Sequence, residues 1–158
     1  MNKYSHMSRT NVNYKPENDY YTPSWVFQKL NIKFDLDVCA PVGGVDWIPA
    51  ENHYHLEIDG LKQNWFGKVW MNPPYSKPSD WVDKFIEHGN GVCLVPFSKS
   101  KWFGKLWNAA DAIIAMEHSF KFEHKDHGTK SVFMPVFLAS IGEYCTAHLE
   151  VSGIGRVR

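Results

Sequence analysis

Short apolar runs alternate with amphipathic segments through the middle of this chain, and that alternation restricts its fold more than any other property. Phe34–Cys39, Lys68–Met71, Gly91–Pro96 and Asp111–Met116 are strand-length runs rich in β-branched and aromatic residues, the pattern of buried strands. Helical spacing separates them. Thr22-Pro23 resembles a helix start, a capping residue followed by proline at the first helical position, with Trp25, Val26, Lys29 and Leu30 behind it. Ser79 is placed to cap a helix carrying Trp81, Val82, Phe85 and Ile86, which stops near Gly89. Lys99–Ala110 repeats the pattern with Trp102, Phe103, Leu106 and Trp107. Phe120 to Gly128 reads as a loop or hairpin tip, Ser131–Ile141 as a long strand and Thr146–Val151 as one more. Strand and helix in alternation, with antiparallel strands at the end, predict an α/β three-layer sandwich on a mixed, mostly parallel sheet.

Length and composition bound the rest. A chain of 158 residues that is 44% hydrophobic and 15% aromatic builds one domain with a real core. Residues 1–18 are polar and aperiodic and read as a flexible arm, leaving 19–158 as the domain. Pro41 to Asn64 is too long for a plain loop and is expected to be partly structured or functional. Cys39, Cys93 and Cys145 are odd in number and share no C-x-x-C spacing, so neither a disulfide framework nor a zinc site is expected. The histidines form no H-E-x-x-H pattern; His118, His124 and His127 crowd one region and His53 and His55 another, with metal binding by them the lesser reading. No signal peptide or membrane span is apparent, so residence in the cytoplasm is the expectation. The formal net charge is zero, which excludes a globally basic nucleic-acid binder. If nucleic acid is the partner, the positive charge must be local, at Lys99, Lys101 and Lys105, at Arg156 and Arg158, or at Lys3, Arg9 and Lys15, each of which reads equally as a solvated face or a frayed end.

The chemistry concentrates in Asn72-Pro73-Pro74-Tyr75, directly after the run Lys68–Met71 and before the turn Ser76-Lys77-Pro78-Ser79. That places it at the carboxyl end of a central strand, where open α/β sheets bind ligands. Two prolines fix φ twice and push each preceding residue out of the helical region. The resulting stiff corner can set the Asn72 side-chain oxygen beside the Pro73 carbonyl. Such a pair of acceptors fits a planar amino group with two N–H donors, and Tyr75 supplies a face for a flat ring. The alternative is a proline-rich loop with Tyr75 as packing.

The corner resembles that of amino-group methyltransferases dependent on S-adenosylmethionine: DNA adenine-N6 enzymes, enzymes that methylate a glutamine side chain, and some RNA enzymes. Across about Asp19 to Gly142 the order of blocks resembles the phage-type, Dam-like DNA N6-adenine methyltransferase family. Those blocks are Tyr20-Tyr21-Thr22-Pro23, Phe34 to Ala40, Asp59-Gly60-Leu61 with Trp65, Val69 to Tyr75, Gly91 to Pro96, Trp102-Phe103 and Phe120-Lys121-Phe122. Only Asn72 to Tyr75 is specific by itself; the order of the others adds to it.

The resemblance implies a Rossmann-like methyltransferase sandwich over 19–158, S-adenosylmethionine as cofactor and DNA as partner, to a monomer or homodimer. It implies Asn72, Pro73, Pro74 and Tyr75 as catalytic residues. For the cofactor it implies Tyr21, Thr22 and Pro23, placing a helix N-terminus near the methionine carboxylate, with Asp37, Cys39, Ala40, Asp59 and Asn72, and more weakly Glu51. Cys39-Ala40-Pro41-Val42-Gly43-Gly44 stands where related enzymes have a glycine-rich turn, and its spacing departs from theirs. Tyr75, Phe122 or Phe120, Lys99 and Lys101 would meet the DNA. The competing readings are a glutamine or RNA methyltransferase, and a non-catalytic DNA-binding protein on the same fold.

Overall fold

A computed structural model of the chain describes residues 20–55, 57–124, 128–132 and 134–158. The arm expected over 1–18 lies outside the described residues. Six strands form the main sheet: β2 (Phe34–Asp37), β3 (Ala50–His53), β4 (Val69–Met71), β5 (Gly91–Pro96), β6 (Ala112–Ala115) and β9 (Val136–Ile141), in the order β3-β2-β4-β5-β9-β6. Pairs among β3, β2, β4 and β5 are parallel, and β9 runs antiparallel to both β5 and β6. The sheet is thus mixed and mostly parallel. A second sheet of three strands joins β1 (Tyr20–Tyr21) to the hairpin β7 (Lys121–His124) and β8 (Gly128–Ser131).

Alternation along the strands sorts side chains to two cores. Trp70, Val92, Leu94 and Leu138 face one side, with Val26, Phe27 and Leu30 of α1 (Ser24–Leu30) and Cys145 and Leu149 of α4 (Glu143–Val151). Val69, Met71, Cys93, Val95 and Ala139 face the other, with Trp81, Val82 and Phe85 of α2 (Ser79–His88) and Trp102, Phe103 and Leu106 of α3 (Lys101–Ala109). Helices on both faces make the three layers. Strand spacing tolerates only glycine at position 91, where an added Cβ would lie 2.4 Å from the Val69 carbonyl oxygen.

Several local expectations change. Helix α1 starts at Ser24, one residue later than the proline pattern predicts, and Pro23 is its N-cap with no side-chain capping bond. Glu123 Oε2 accepts from the Ser24 N–H instead, at 3.0 Å, so Thr22 is released from capping. Helix α2 likewise begins at Ser79 with Pro78 as N-cap, and ends at Gly89 in the left-handed region (φ 73°) as its spacing suggested. The long strand expected over Ser131–Ile141 is two strands broken before Val136, Ser131 belonging to β8. Thr146–Val151 is helical, not extended, because Cys145 and Leu149, four residues apart, are both fully buried on one face. Burying one leucine is worth roughly 1.5–3 kcal/mol, which outweighs a β-propensity scale spanning about 1 kcal/mol. Pro41–Asn64 contains β3 and a 3-10 turn at Gly60–Lys62.

Candidate active site

Strand β4 ends at Met71, and Asn72 follows it at the carboxyl edge of the parallel strands. Its side chain is 1% exposed. Nδ2 donates to Thr22 Oγ1 at 3.4 Å, while Oδ1 is buried with no partner among the described residues. Pro73 is buried behind it, and the Pro74 carbonyl accepts from Lys77 N at 3.3 Å, closing the turn. Leaving a buried acceptor unmet costs roughly 1–3 kcal/mol. An acceptor held dry and unmet at a strand end is equipped to take an N–H from outside the chain.

Tyr75 is half-buried, yet its hydroxyl is buried and unpartnered among the described residues. Burial pushes its pKa well above the ordinary tyrosine value, with the neighbouring Cys93 thiol adding to the effect. The hydroxyl therefore stays protonated, and the ring is the part of Tyr75 available for recognition. Phe122 supports that ring with centroids 6.3 Å apart, and Phe120 packs on Phe122 at 5.1 Å. Both phenylalanines are buried, Phe122 at 2% and Phe120 at 5% exposure. They back Tyr75 rather than offering an open face, which differs from a role in gripping a base directly.

Asp37 ends β2 beside Trp70 of β4 and His53 of β3. It is buried, and its Oδ1 accepts from Cys39 N at 3.1 Å. Ala40 N donates to the Tyr54 carbonyl at 2.8 Å. A cavity of about 220 Å³ opens here, lined by Asp37, Gly43, Gly44, Asp46 and His53 among others. Gly43 (φ 81°) and Gly44 (φ 71°) both take the left-handed conformation. They allow a tight loop whose backbone a ligand can approach. The spacing of Cys39–Gly44 departs from a standard glycine-rich turn, but its glycines do reach the cavity wall.

Asp59 sits apart from that wall and is occupied locally. It caps the 3-10 turn through Leu61 N at 3.3 Å and pairs with exposed Lys62 at 3.5 Å. Glu51 is exposed on β3. Tyr21 and Thr22 are buried, and the Thr22 carbonyl accepts from the Trp47 indole at 2.8 Å. The N-terminus of α1, expected to face an anionic group, already holds the Glu123 carboxylate. Lys99 and Lys101 are exposed just after β5, at the same sheet edge as Asn72. Lys105 is tied to Asp83 at 3.2 Å. A bigger groove of about 720 Å³ runs along α2, lined by Trp65, Asp83, Lys84 and neighbours, and contains no residue of the corner. Volume is therefore no guide to the chemistry. Among the described residues no group of three or more His, Cys, Asp or Glu side chains could hold a metal ion, and no helix is long and apolar enough to cross a membrane.

The family described as DNA N-6-adenine-methyltransferase (Dam) matches residues 9–133. The chain belongs to that family. It is similar to the DNA N-6-adenine-methyltransferase of Haemophilus phage HP1 (strain HP1c1), with 32% identity over 124 residues, 72% of this chain and 70% of the phage protein. It is also similar to the DNA N-6-adenine-methyltransferase of Escherichia phage T1, with 39% identity over 93 residues, 54% of this chain and 37% of that protein. The Dam-family match covers every residue of the corner, the Asp37 edge and the hairpin β7–β8. Sequence reasoning missed two residues that the fold brings to this candidate site. His53 carries no motif, and only pairing of β3 with β2 brings it to Asp37. Trp47 lies in an irregular loop whose tryptophan gives no hint of its partner.

Proposed function

We propose that this Dam-family protein transfers the methyl group of S-adenosylmethionine to the N6 amino group of adenine in DNA, on a Rossmann-like sandwich. The observation that carries this reading is the buried, unpartnered Asn72 Oδ1 at the end of a central parallel strand. An aromatic amino group is a poor nucleophile because its lone pair is delocalised into the ring. Asn72 Oδ1 and the Pro73 carbonyl take its two hydrogens and draw them out of the ring plane. The same oxygens stabilise the positive charge that grows on nitrogen during transfer. Neither Asn72 nor the protonated Tyr75 is a base, and none is required, since the methylated nitrogen is acidic enough to release its proton to water. The Tyr75 ring stacks on the base. A base within a duplex is out of reach of such a corner, so the target adenine is flipped out.

The residues fit the cofactor. When bound, S-adenosylmethionine supplies an electrophilic methyl group on a sulfonium sulfur. The cavity of about 220 Å³ beside Asp37 is smaller than the roughly 300–1,000 Å³ typical of a site enclosing a whole ligand. Its acids and histidine suit a hydroxylated fragment such as the sugar. Asp37, the Cys39–Ala40 turn, Gly43 and Gly44 line or support this side. The main chain of Tyr21, Thr22 and Pro23 is assigned to the cofactor side next to Asn72, with the Thr22 hydroxyl turned to the Asn72 amide, and Asp59 is assigned to the adenine end, through the oxygen that now pairs with exposed Lys62. Lys99, Lys101 and the hairpin β7–β8 serve DNA, and the enzyme works in the bacterial or phage-infected cytoplasm.

Purified protein with radiolabelled S-adenosylmethionine, offered DNA, RNA and protein separately, tests the reading. Label in N6-methyladenine of DNA is expected. Label confined to RNA or protein would overturn the assignment. In the same preparation Asp37→Ala is expected to weaken cofactor binding about tenfold or more, since a buried donor on the ligand loses its partner. Unchanged affinity by calorimetry would move the cofactor elsewhere.

A further inference from the structure

We infer that Thr22 is a positioning residue for the catalytic amide, holding the Asn72 side chain where its unpartnered oxygen faces the substrate. This rests on the reading of Asn72 as the acceptor of the adenine amino group. An asparagine amide presents either an oxygen or an NH2 to a site, and the two are nearly the same shape. Only the outward oxygen accepts from an amino group; an outward Nδ2 would set donor against donor. The amide is held from the buried side. There Thr22 Oγ1 meets Asn72 Nδ2 at 3.4 Å, across a separation of 50 residues along the chain, leaving Oδ1 unpartnered. Thr22 is 0% exposed, so no bulk water competes for that contact.

The threonine is itself held. Trp47 Nε1 donates to its carbonyl at 2.8 Å, and the Tyr21 and Trp47 rings pack edge to face at 6.4 Å. Two residues on, Ser24 N is fastened to Glu123 at 3.0 Å. The segment is anchored on both sides of Thr22, so its hydroxyl stays at one place relative to the corner. A second role for the same hydroxyl, direct contact with the cofactor, predicts a different outcome on substitution.

Thr22→Val keeps the shape and removes the hydroxyl; Thr22→Ser keeps the hydroxyl; Trp47→Phe keeps an aromatic ring and removes the indole donor. Turnover on adenine-containing DNA, KM for DNA, calorimetric affinity for S-adenosylhomocysteine and melting temperature are measured for each. For Thr22→Val, kcat is expected to fall on the order of ten- to a hundredfold, the scale of a misplaced catalytic group, with cofactor affinity unchanged. Thr22→Ser is expected to recover most of it, and Trp47→Phe to lower kcat by a smaller factor in the same direction. Wild-type kcat in Thr22→Val, a matching loss of cofactor affinity, or a serine variant as impaired as the valine one would each overturn the inference. Should Thr22→Val fail to fold, Trp47→Phe decides it: kcat lowered at unchanged affinity supports, and unchanged kcat overturns. A wild-type protein that methylates no adenine would instead defeat the functional reading itself.

Discussion

Asn72 Oδ1 is a buried acceptor without a donor among the described residues, a state that costs roughly 1–3 kcal/mol, and in the proposed function the adenine amino group supplies that donor. Asn72→Ala is expected to lower turnover on the order of a hundred- to a thousandfold, the usual loss for one oriented polar group in a transition state, while cofactor affinity holds. Parallel turnover and calorimetry check this; near-normal turnover would remove Asn72 from the mechanism. Tyr75 raises a separate question, because its hydroxyl is also buried without a partner. Tyr75→Phe deletes an unsatisfied polar group and keeps the ring, so melting temperature should hold or rise and activity should persist. Tyr75→Ala removes a stacking face worth about 1–3 kcal/mol per base and should raise KM for DNA. Loss of activity in Tyr75→Phe would assign the hydroxyl a chemical task.

At the level of elements, one clamp sets the start of the strand that carries the corner. Asp35 in β2 accepts from Lys68 N at 2.7 Å and pairs with its ammonium at 3.4 Å, while Asp35 N donates to the Lys68 carbonyl at 2.8 Å. The Lys68 N–H, more than its charge, holds the Asp35 carboxyl below the usual value, against a smaller opposing effect of burial. A depressed folded-state pKa contributes stability that is present above the unfolded value and lost as pH falls through the folded one. Asp35→Asn should therefore flatten the acid side of the stability profile, measured by urea melts across the acid range. An unaltered acid limb would show the clamp to be energetically silent. Gly67 precedes it at φ 64°, and an added Cβ would lie 2.2 Å from Asp35 Oδ2. Gly67→Ala is expected to destabilise by about 2 kcal/mol or more, combining left-handed strain with a clash. Melting curves test that, and a loss within error would contradict it.

Across the whole molecule, the net charge of zero limits the sequence-independent attraction to phosphate. Much of Pro41–Asn64 is taken up by β3, the cavity loop and the 3-10 turn. Among the described residues this leaves chiefly the hairpin β7–β8 and the lysines after β5 to face DNA. Together with the arm expected over 1–18, which lies outside the described residues, these offer few side chains to base edges, so a short or loosely read target and salt-sensitive binding are expected. Sequencing methylated adenines from a random library, with binding followed across salt, tests this; a strict site of about six base pairs or more from a proven monomer would contradict it. The alternation of strand and helix, the placement of Asn72–Tyr75 at a strand end and the stop at Gly89 were legible in the chain, because periodicity and proline or glycine chemistry act over a few residues. The helix at Glu143–Val151, the Glu123 cap on α1, the approach of His53 to Asp37 and the hydrogen bond between Thr22 and Asn72 were not. Each depends on partners brought together by sheet order and burial across long stretches of chain. Local pattern carries no record of which distant groups meet, and where propensities differ by only about 1 kcal/mol, the buried face of the finished core makes the choice.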